Sequence, residues 1–422
     1  MPRVKRAHFA SRPPSSVAAA TDPTRKRGWL LSRREPSELP ANDDGTPLID
    51  EVILLIFATF VGIADLVRSA ATCRRWRHLV SNESAFICRK LQRPGPSGKF
   101  LPPLAIGFFR QHDATTICFV PMASASRRFP VLRGESLSLS MLVDDSLFDA
   151  SRIVASRNGL LVIELQRGKN SRVLRLCVCN PMTGLVDVLP PLSGKDGVGY
   201  YTCTVLTADD YQVQNSDINT PRPSSSHYQL LMVYNRRDFT AFRSYSSEHK
   251  CWNPQRTVTG TKLGREHMRL AHGGVVACGG RAAYWIAGNI VFGLRLDTLE
   301  ATTVIGLPQS GGGETFNMQD TLLGMTPQGK LCAVQISSPI LWIQGNQRGE
   351  TFRIRVITYG VDNESGLVFF TIGDYGGQRS EVHALSLSTR MVEKVASSDG
   401  NHLWGDLYGY EMDQVTYLAS LG

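Results

Sequence analysis

The chain has 422 residues, 42% hydrophobic and 20% charged, a balance that suits folded domains, two or three at this length. Its longest uncharged apolar run, Val52 to Ala64, has 13 residues. A membrane-spanning helix needs about 20, so no membrane association is expected. Nine cysteines show no paired spacing, and residues 1–34 contain no apolar signal-peptide stretch. Both observations point to reduced thiols and to the nucleus, the cytoplasm or both.

The net charge of +9 is unevenly placed. Residues 1–34 hold nine Arg or Lys against one acid, Asp22, a local +8 that leaves +1 for the rest of the chain. A nearly neutral body argues against a broad nucleic-acid surface, so no nucleic-acid partner is expected, although a local basic patch is compatible with that total. Residues 1–45 are rich in Pro, Ser, Ala and Arg. They have too little apolar surface to offset their ordering entropy and are expected to form a disordered basic tail. The clusters at 3–6 and 25–27 fit an import signal, plain solvated charge or an organellar transit peptide; Pro2, Pro13, Pro14 and Pro23 weaken the last.

Residues 46–91 change to a helical pattern. Val52, Ile53, Ile56, Phe57 and Phe60 share one face of a helix predicted over Asp50 to Phe60. A second helix is predicted from Asp65 to Val80. There Leu66, Ala70, Cys73, Trp76 and Leu79 recur at helical steps, and Arg68, Arg74, Arg75 and Arg77 occupy the other face. A short turn follows around Glu83 to Leu91. Two short helices with apolar faces this wide have more to bury than they can bury against each other. Either the following domain or a partner protein covers the excess.

The stretch from Leu48 to Phe86 resembles an F-box. It supplies the acidic pair Asp50-Glu51, the apolar pair Val52-Ile53, Ile56-Phe57, then Leu66, Cys73-Arg74-Arg75-Trp76 and Leu79. Ile49 stands where the family usually has Pro, a residue that pre-sets a helix start. The resemblance implies docking on the Skp-type adaptor of a cullin-RING ubiquitin ligase. The contacts it implies are Leu48, Ile49, Val52, Ile53, Ile56, Phe57, Leu66, Cys73, Trp76 and Leu79.

Residues 92–99, with Pro94, Gly95, Pro96, Ser97 and Gly98 in a row, are expected to be a linker. Residues 100–422 then read as all-β. Short apolar or alternating runs, such as Arg152–Ala155, Leu160–Leu165, Tyr228–Tyr234, Ala282–Ala287 and Leu367–Ile372, are split by Gly, Asn, Asp and Pro. So many short strands suit a β-propeller-like domain of about six blades. A weak repeat of strand, polar turn and strand supports it: Cys179–Gly184 leading to Val188, Leu296–Glu300 leading to Ile305, and Leu387–Arg390 leading to Val392. The segments Ser156–Leu161, Asn180–Gly184 and Gly280–Trp285 resemble motifs of the F-box-associated propeller domains of plants, and the wording at Leu174–Gly197 is similar to a large grass F-box family.

Candidate chemistry is sparse. His267 and His272 follow Glu266 at a spacing that misses the His-Glu-x-x-His metal motif, because residue 268 is Met. Cys177 and Cys179 alternate on a strand and read as buried thiols. Gly311–Gly313 lacks the Lys-Ser/Thr of a phosphate loop. The pairs Asp144-Asp145 and Asp209-Asp210 read as solvated loop acids. Tyr284, Trp285, Tyr408 and Tyr410 are expected to pack between blades; Trp342 and Tyr359 belong to the same C-terminal set. Tyr375 and Trp404 sit beside glycines, where an aromatic can also serve recognition. No catalytic residue, metal or cofactor is expected. The expected function is a non-catalytic substrate receptor of a Skp–cullin–F-box ligase, with an unknown substrate protein held by the β-rich domain. The alternatives are a propeller scaffold without ligase recruitment and, less favoured, a propeller enzyme with an axial metal.

Overall fold

The computed structural model describes residues 48–90 and most of 101–422; the largest stretches left aside are 140–147, 211–226, 305–320, 336–352 and 356–364. The expected tail, the linker, Gly311–Gly313, Asp144-Asp145, Trp342, Tyr359, Tyr375 and Trp404 lie outside the described residues.

Four helices open the described chain: α1 (Asp50–Phe60), α2 (Ile63–Thr72), α3 (Arg74–Asn82) and α4 (Ser84–Lys90). The first and last agree with the sequence pattern. The single helix predicted over Asp65 to Val80 is instead two, because Cys73 is extended (φ −147°, ψ 164°). Its thiol accepts a hydrogen bond from Trp76 N at 3.4 Å and so caps the start of α3. The apolar steps continue smoothly through the break, which is why periodicity alone does not show it.

The β-rich part begins with β1 (Ala105–His112), β2 (Thr116–Pro121), the short helix α5 (Ala123–Arg128) and β3 (Leu137–Ser138). A second sheet is β4 (Arg152–Arg157), β5 (Leu160–Glu164), β6 (Leu176–Asn180) and β7 (Leu185–Val188). The third holds β8 (Tyr201–Thr207), β9 (Tyr228–Asn235), β10 (Thr240–Ser246), β11 (Cys251–Trp252) and β12 (Arg256–Thr257). The fourth holds β13 (Thr259–Gly260), then, after α6 (Arg265–Arg269), β14 (Ala271–Val276), β15 (Ala282–Ala287), β16 (Ile290–Arg295) and β17 (Glu300–Val304). The fifth is described as β18 (Thr321–Met325) with β19 (Leu331–Gln335). The sixth is β20 (Arg353–Arg355), β21 (Leu367–Gly373), β22 (Arg379–Ser386) and β23 (Val392–Asp399). β24 (Asp406–Glu411) returns to the first sheet and pairs antiparallel with β1, Phe108 opposite Gly409 and Arg110 opposite Leu407. A last helix, α7 (Gln414–Ala419), follows.

This is the topology of a six-bladed propeller-like domain. The first described strand of a blade contacts the first strand of the next, β4 to β8, β8 to β14 and β14 to β18, while β24 touches both β4 and β21. The ring is therefore closed by a late strand completing an early sheet, which removes the open edge that either strand would otherwise present. Facing blades bury apolar side chains in common: Val162 and Val178 with Val205 and Met232, and Leu231 and Val233 with Trp285 and Phe292. Tyr408 and Tyr410 are buried as expected, and Tyr410 meets Phe109 edge-on at 5.3 Å between centroids.

The outer hairpins share one turn. Each enters its last strand through a residue in the left-handed region: Gly184 (φ 74°), Lys250 (φ 52°), Leu299 (φ 57°) and Arg390 (φ 58°). A short polar side chain near the start of the turn satisfies the backbone inside it. Asn180 Oδ1 accepts from Met182 N and Thr183 N, Ser246 Oγ from His249 N, Asp297 Oδ1 from Thr298 N and Ser386 Oγ from Thr389 N. Glycine occupies the position once; the three other residues bear the cost of a Cβ in that region.

Polar staples tie neighbouring blades together at the ends of these inner strands. Arg157 donates to both oxygens of Asp210 at 2.6 and 2.7 Å and to the Val205 carbonyl at 2.8 Å. Asn158 Nδ2 donates to Thr207 Oγ1, and Ser156 Oγ donates to the Gly409 carbonyl. Asp210 is thus a buried ion-pair member, not the solvated loop acid expected from its sequence neighbourhood. Asp209 itself lies outside the described residues.

Candidate partner-docking surface

The apolar stripe at the start of the helical region is the most exposed one described in the molecule. α1 begins with Asp50 and Glu51 in its first turn, where carboxylates suit the helix dipole. Ile49 precedes it at φ −72° and ψ 155°, a φ already inside the range proline would impose. After the acids the helix is apolar nearly all round, and such a helix requires cover on two sides.

The structure supplies one side. Ile53 and Phe57, each 3% exposed, face inward with Leu66 and Ala70. Trp76 meets Phe57 edge-on at 5.5 Å. Ile53, Phe57 and Leu66, named above among partner contacts, are therefore interior residues of the helical unit, because intramolecular packing has already taken their surface. Cys73, Trp76 and Leu79 are half-buried. Leu48, Ile49, Val52, Leu55 and Ile56 stay exposed, Ile49 at 63% and Leu55 at 54%. Leu55 was not among the expected contacts; it lies three residues after Val52, the helical neighbour spacing that would have revealed it.

The Cys-Arg-Arg-Trp-Arg run holds this stripe in place. Cys73 caps α3. Arg75 reaches back to the start of α1, donating from Nε to Asp50 Oδ1 at 2.8 Å and from Nη2 to the Leu48 carbonyl at 2.6 Å. Trp76 supports Phe57 from below, and Arg77 Nε donates to the Ala70 carbonyl at the end of α2. Charge and aromatic packing in α3 thereby fix the exposed edge of α1.

The opposite side of the helical unit is covered by the chain itself. α7 packs against α3 and α4, with Tyr417 and Leu418 buried in the core that also contains Ile53, Val80, Ile87 and Leu104. Asp413 caps α7, accepting from Thr416 N at 2.8 Å, and burial raises its carboxyl above the usual carboxylate range. Arg128 lies over the Tyr417 ring and donates to the Pro103 carbonyl. The helical unit and the propeller thus share one core. Of the two covers the sequence left open, the body takes one face and leaves the α1 stripe uncovered.

The other candidates do not assemble a site. Among the described residues no group of three His, Cys, Asp or Glu is placed to hold a metal. His267 and His272 are half-buried, and His272 Nδ1 lies 2.9 Å from the Leu270 carbonyl. Cys177, Cys179 and Cys203 are buried; burial pushes the thiols of Cys177 and Cys203 up to about 12 and that of Cys179 well above its ordinary value. Such thiols are poor nucleophiles and poor metal ligands. No helix among the described residues is long and apolar enough to cross a membrane.

A helical unit with a stapled, uncovered apolar edge, joined to a six-bladed ring, is the arrangement expected of an F-box-like domain followed by a β-propeller-like domain. The family comparison agrees: residues 50–90 match the F-box-like model. Residues 124–340, just over half of the chain, match the model described as Domain of unknown function (DUF7595), and the chain belongs to that family. No curated protein matches the chain. Among solved structures it is similar to TolB from Acinetobacter baumannii, at 9% identity over 80% of this chain and 72% of that one with a TM-score of 0.40. It is also similar to a 6-phosphogluconolactonase-type protein from Bacteroides fragilis NCTC 9343 (11% identity, 73% and 98% covered, TM-score 0.32) and to the Dos1 propeller (8%, 69% and 56%, TM-score 0.26). These overlaps are loose, and the fold assignment rests on the strand order given above.

Proposed function

We propose that this chain is a non-catalytic substrate receptor of a Skp–cullin–F-box ubiquitin ligase. The observation that carries the proposal is the exposed stripe Leu48, Ile49, Val52, Leu55 and Ile56, held by Arg75 inside the segment that matches the F-box-like model. A stripe of this kind suits a helix-against-helix partner, which the Skp-type adaptor would supply and through it the cullin. The propeller-like domain would then hold a substrate protein. The chain's contribution to catalysis would be effective concentration, with no proton transfer required of its own side chains.

Co-purification with adaptor and cullin tests this. Val52→Asp combined with Ile56→Asp changes two exposed residues, so the fold should survive. Burying two unpaired carboxylates at an interface is costly enough to abolish capture. A correctly folded double variant that still brings down the adaptor overturns the assignment of this surface.

A further inference from the structure

The rim of the ring that faces away from the helical unit gathers several described basic side chains. Inner strands of a propeller all run in one direction, so their ends share one rim and their beginnings the other. β24 ends at Glu411 and leads directly into α7, which places the helical unit on the rim where inner strands end. On the other rim Tyr200 immediately precedes β8, and Arg265 and Arg269, on α6, immediately precede β14. The β9–β10 hairpin carries Arg237 to the same rim, where Asn235 N donates to the Tyr200 carbonyl. Lys262 Nζ donates to the Arg237 carbonyl at 3.2 Å, joining the hairpin to the α6 segment.

Tyr200, Arg237, Lys262, Arg265 and Arg269 are all exposed. The Arg265 guanidinium lies over the Tyr200 ring, 5.4 Å from its centroid. Among the described residues two acids share the region, Asp238 and Glu266, and Glu266 is already engaged by Arg269. The framework beneath is tied by several contacts: Arg236 stacks on Tyr234, donates to the Gly197 carbonyl and is held by Gln255. This is a local basic concentration on a body whose net charge is +1.

We propose that this rim, facing away from the helical unit, docks an acidic peptide segment, with Arg237, Lys262 and Arg265 as the carboxylate-pairing groups. Guanidinium forks match carboxylates bidentately. A nucleic-acid strand is disfavoured because Arg265 already covers Tyr200, the aromatic ring that the described residues of the patch offer for a base to stack on. The proposal rests on the substrate-receptor reading for its biological meaning: it names the substrate class as proteins with an exposed acidic segment. Its chemistry can be measured without the ligase.

The test uses the full chain and a fluorescein-labelled peptide rich in Glu and Asp, read by anisotropy. Saturable binding is expected, weakening as salt is raised. Arg237→Glu combined with Arg265→Glu should weaken it by about tenfold or more, from two exposed ion pairs turned repulsive. Tyr200→Ala, which frees Arg265 from its support, should weaken it by a smaller factor. Adaptor capture should be unchanged in these variants, whereas Val52→Asp with Ile56→Asp should keep peptide binding. Absence of saturable binding, an unaffected charge-reversal variant, or tighter binding of a single-stranded oligonucleotide of equal charge overturns the docking site. Loss of adaptor capture by the unaltered chain, with peptide binding intact, sinks the ligase reading alone.

Discussion

The helical unit and the propeller-like ring handle apolar surface in opposite ways. In the ring, apolar side chains such as Val162, Val205, Leu231 and Trp285 are buried between neighbouring blades, and polar side chains such as Arg157, Asn158 and Asp210 are turned inward to bind one blade to the next. In the helical unit a short apolar helix is covered on one face, and the other is left to solvent with Arg75 and Asp50 fixing its edge. The difference separates two roles for hydrophobicity: closed between elements of one chain it stabilises, and left open on a stapled frame it remains available to another chain.

Variants can break that contrast, the largest effects coming first. Phe57→Ala removes an interior side chain and should cost about 3–5 kcal/mol of stability, whereas Val52→Asp with Ile56→Asp should leave urea unfolding within about 1 kcal/mol of the parent. Equal losses from both would show that the stripe is structural. Asp210→Asn leaves the Arg157 guanidinium buried without its counter-charge, for an expected loss of about 3–5 kcal/mol. A loss below 1 kcal/mol would mean that the staple contributes little to joining the blades.

The buried thiols give a pH-dependent version of the contrast. In the unfolded chain they ionise near 9, whereas in the folded chain Cys177 and Cys203 hold their protons to about 12. The folded state therefore binds more protons across that window. Its stability should be unaffected below pH 9 and fall as pH rises from 9 toward 12, by a few kcal/mol in order of magnitude. Cys203→Ala should make that decline shallower; an unchanged slope would remove these thiols as its cause. The smallest effect concerns the repeated outer turn. Arg390 is exposed and left-handed, so Arg390→Gly should raise stability by about 0.5–1 kcal/mol in thermal unfolding. A decrease would mean that its side chain contributes more than its backbone costs.

Local signals made much of this legible. α1 follows from apolar spacing and its acidic start, and the strands β15 and β16 follow from apolar runs bounded by Gly and Asp. The Asn158-Gly159 pair forms the two-residue turn its sequence signals, with φ of 46° and 74°. The outer hairpins at 180–185, 296–300 and 386–392 follow from their polar turns. The features that were not legible depend on partners far apart in sequence. The Cys73 break needs the thiol's hydrogen bond to be seen. The burial of Asp210 depends on Arg157, and that of Phe57 on Trp76. The pairing of β1 with β24 joins segments whose own patterns, with Arg110, Gln111 and Asp406 among them, do not announce a common sheet. The basic rim gathers residues from 200, 237 and 262–269, and no linear stretch shows it.

The placement of β24 and α7 also bears on how the molecule is made. Both complete structures begun roughly 300 residues earlier, the first blade and the helical unit. At ordinary translation speeds that interval is on the order of 15–60 seconds. Throughout it, β1 has an unpaired edge, and the inner faces of α3 and α4 lack the helix that covers them, so the nascent chain carries two adhesive surfaces on its early segments. Such surfaces expose the nascent chain to aggregation during synthesis. A lesion in residues 406–419 would strike the helical unit and the ring together, so its carriers should lose adaptor capture and propeller stability in one step.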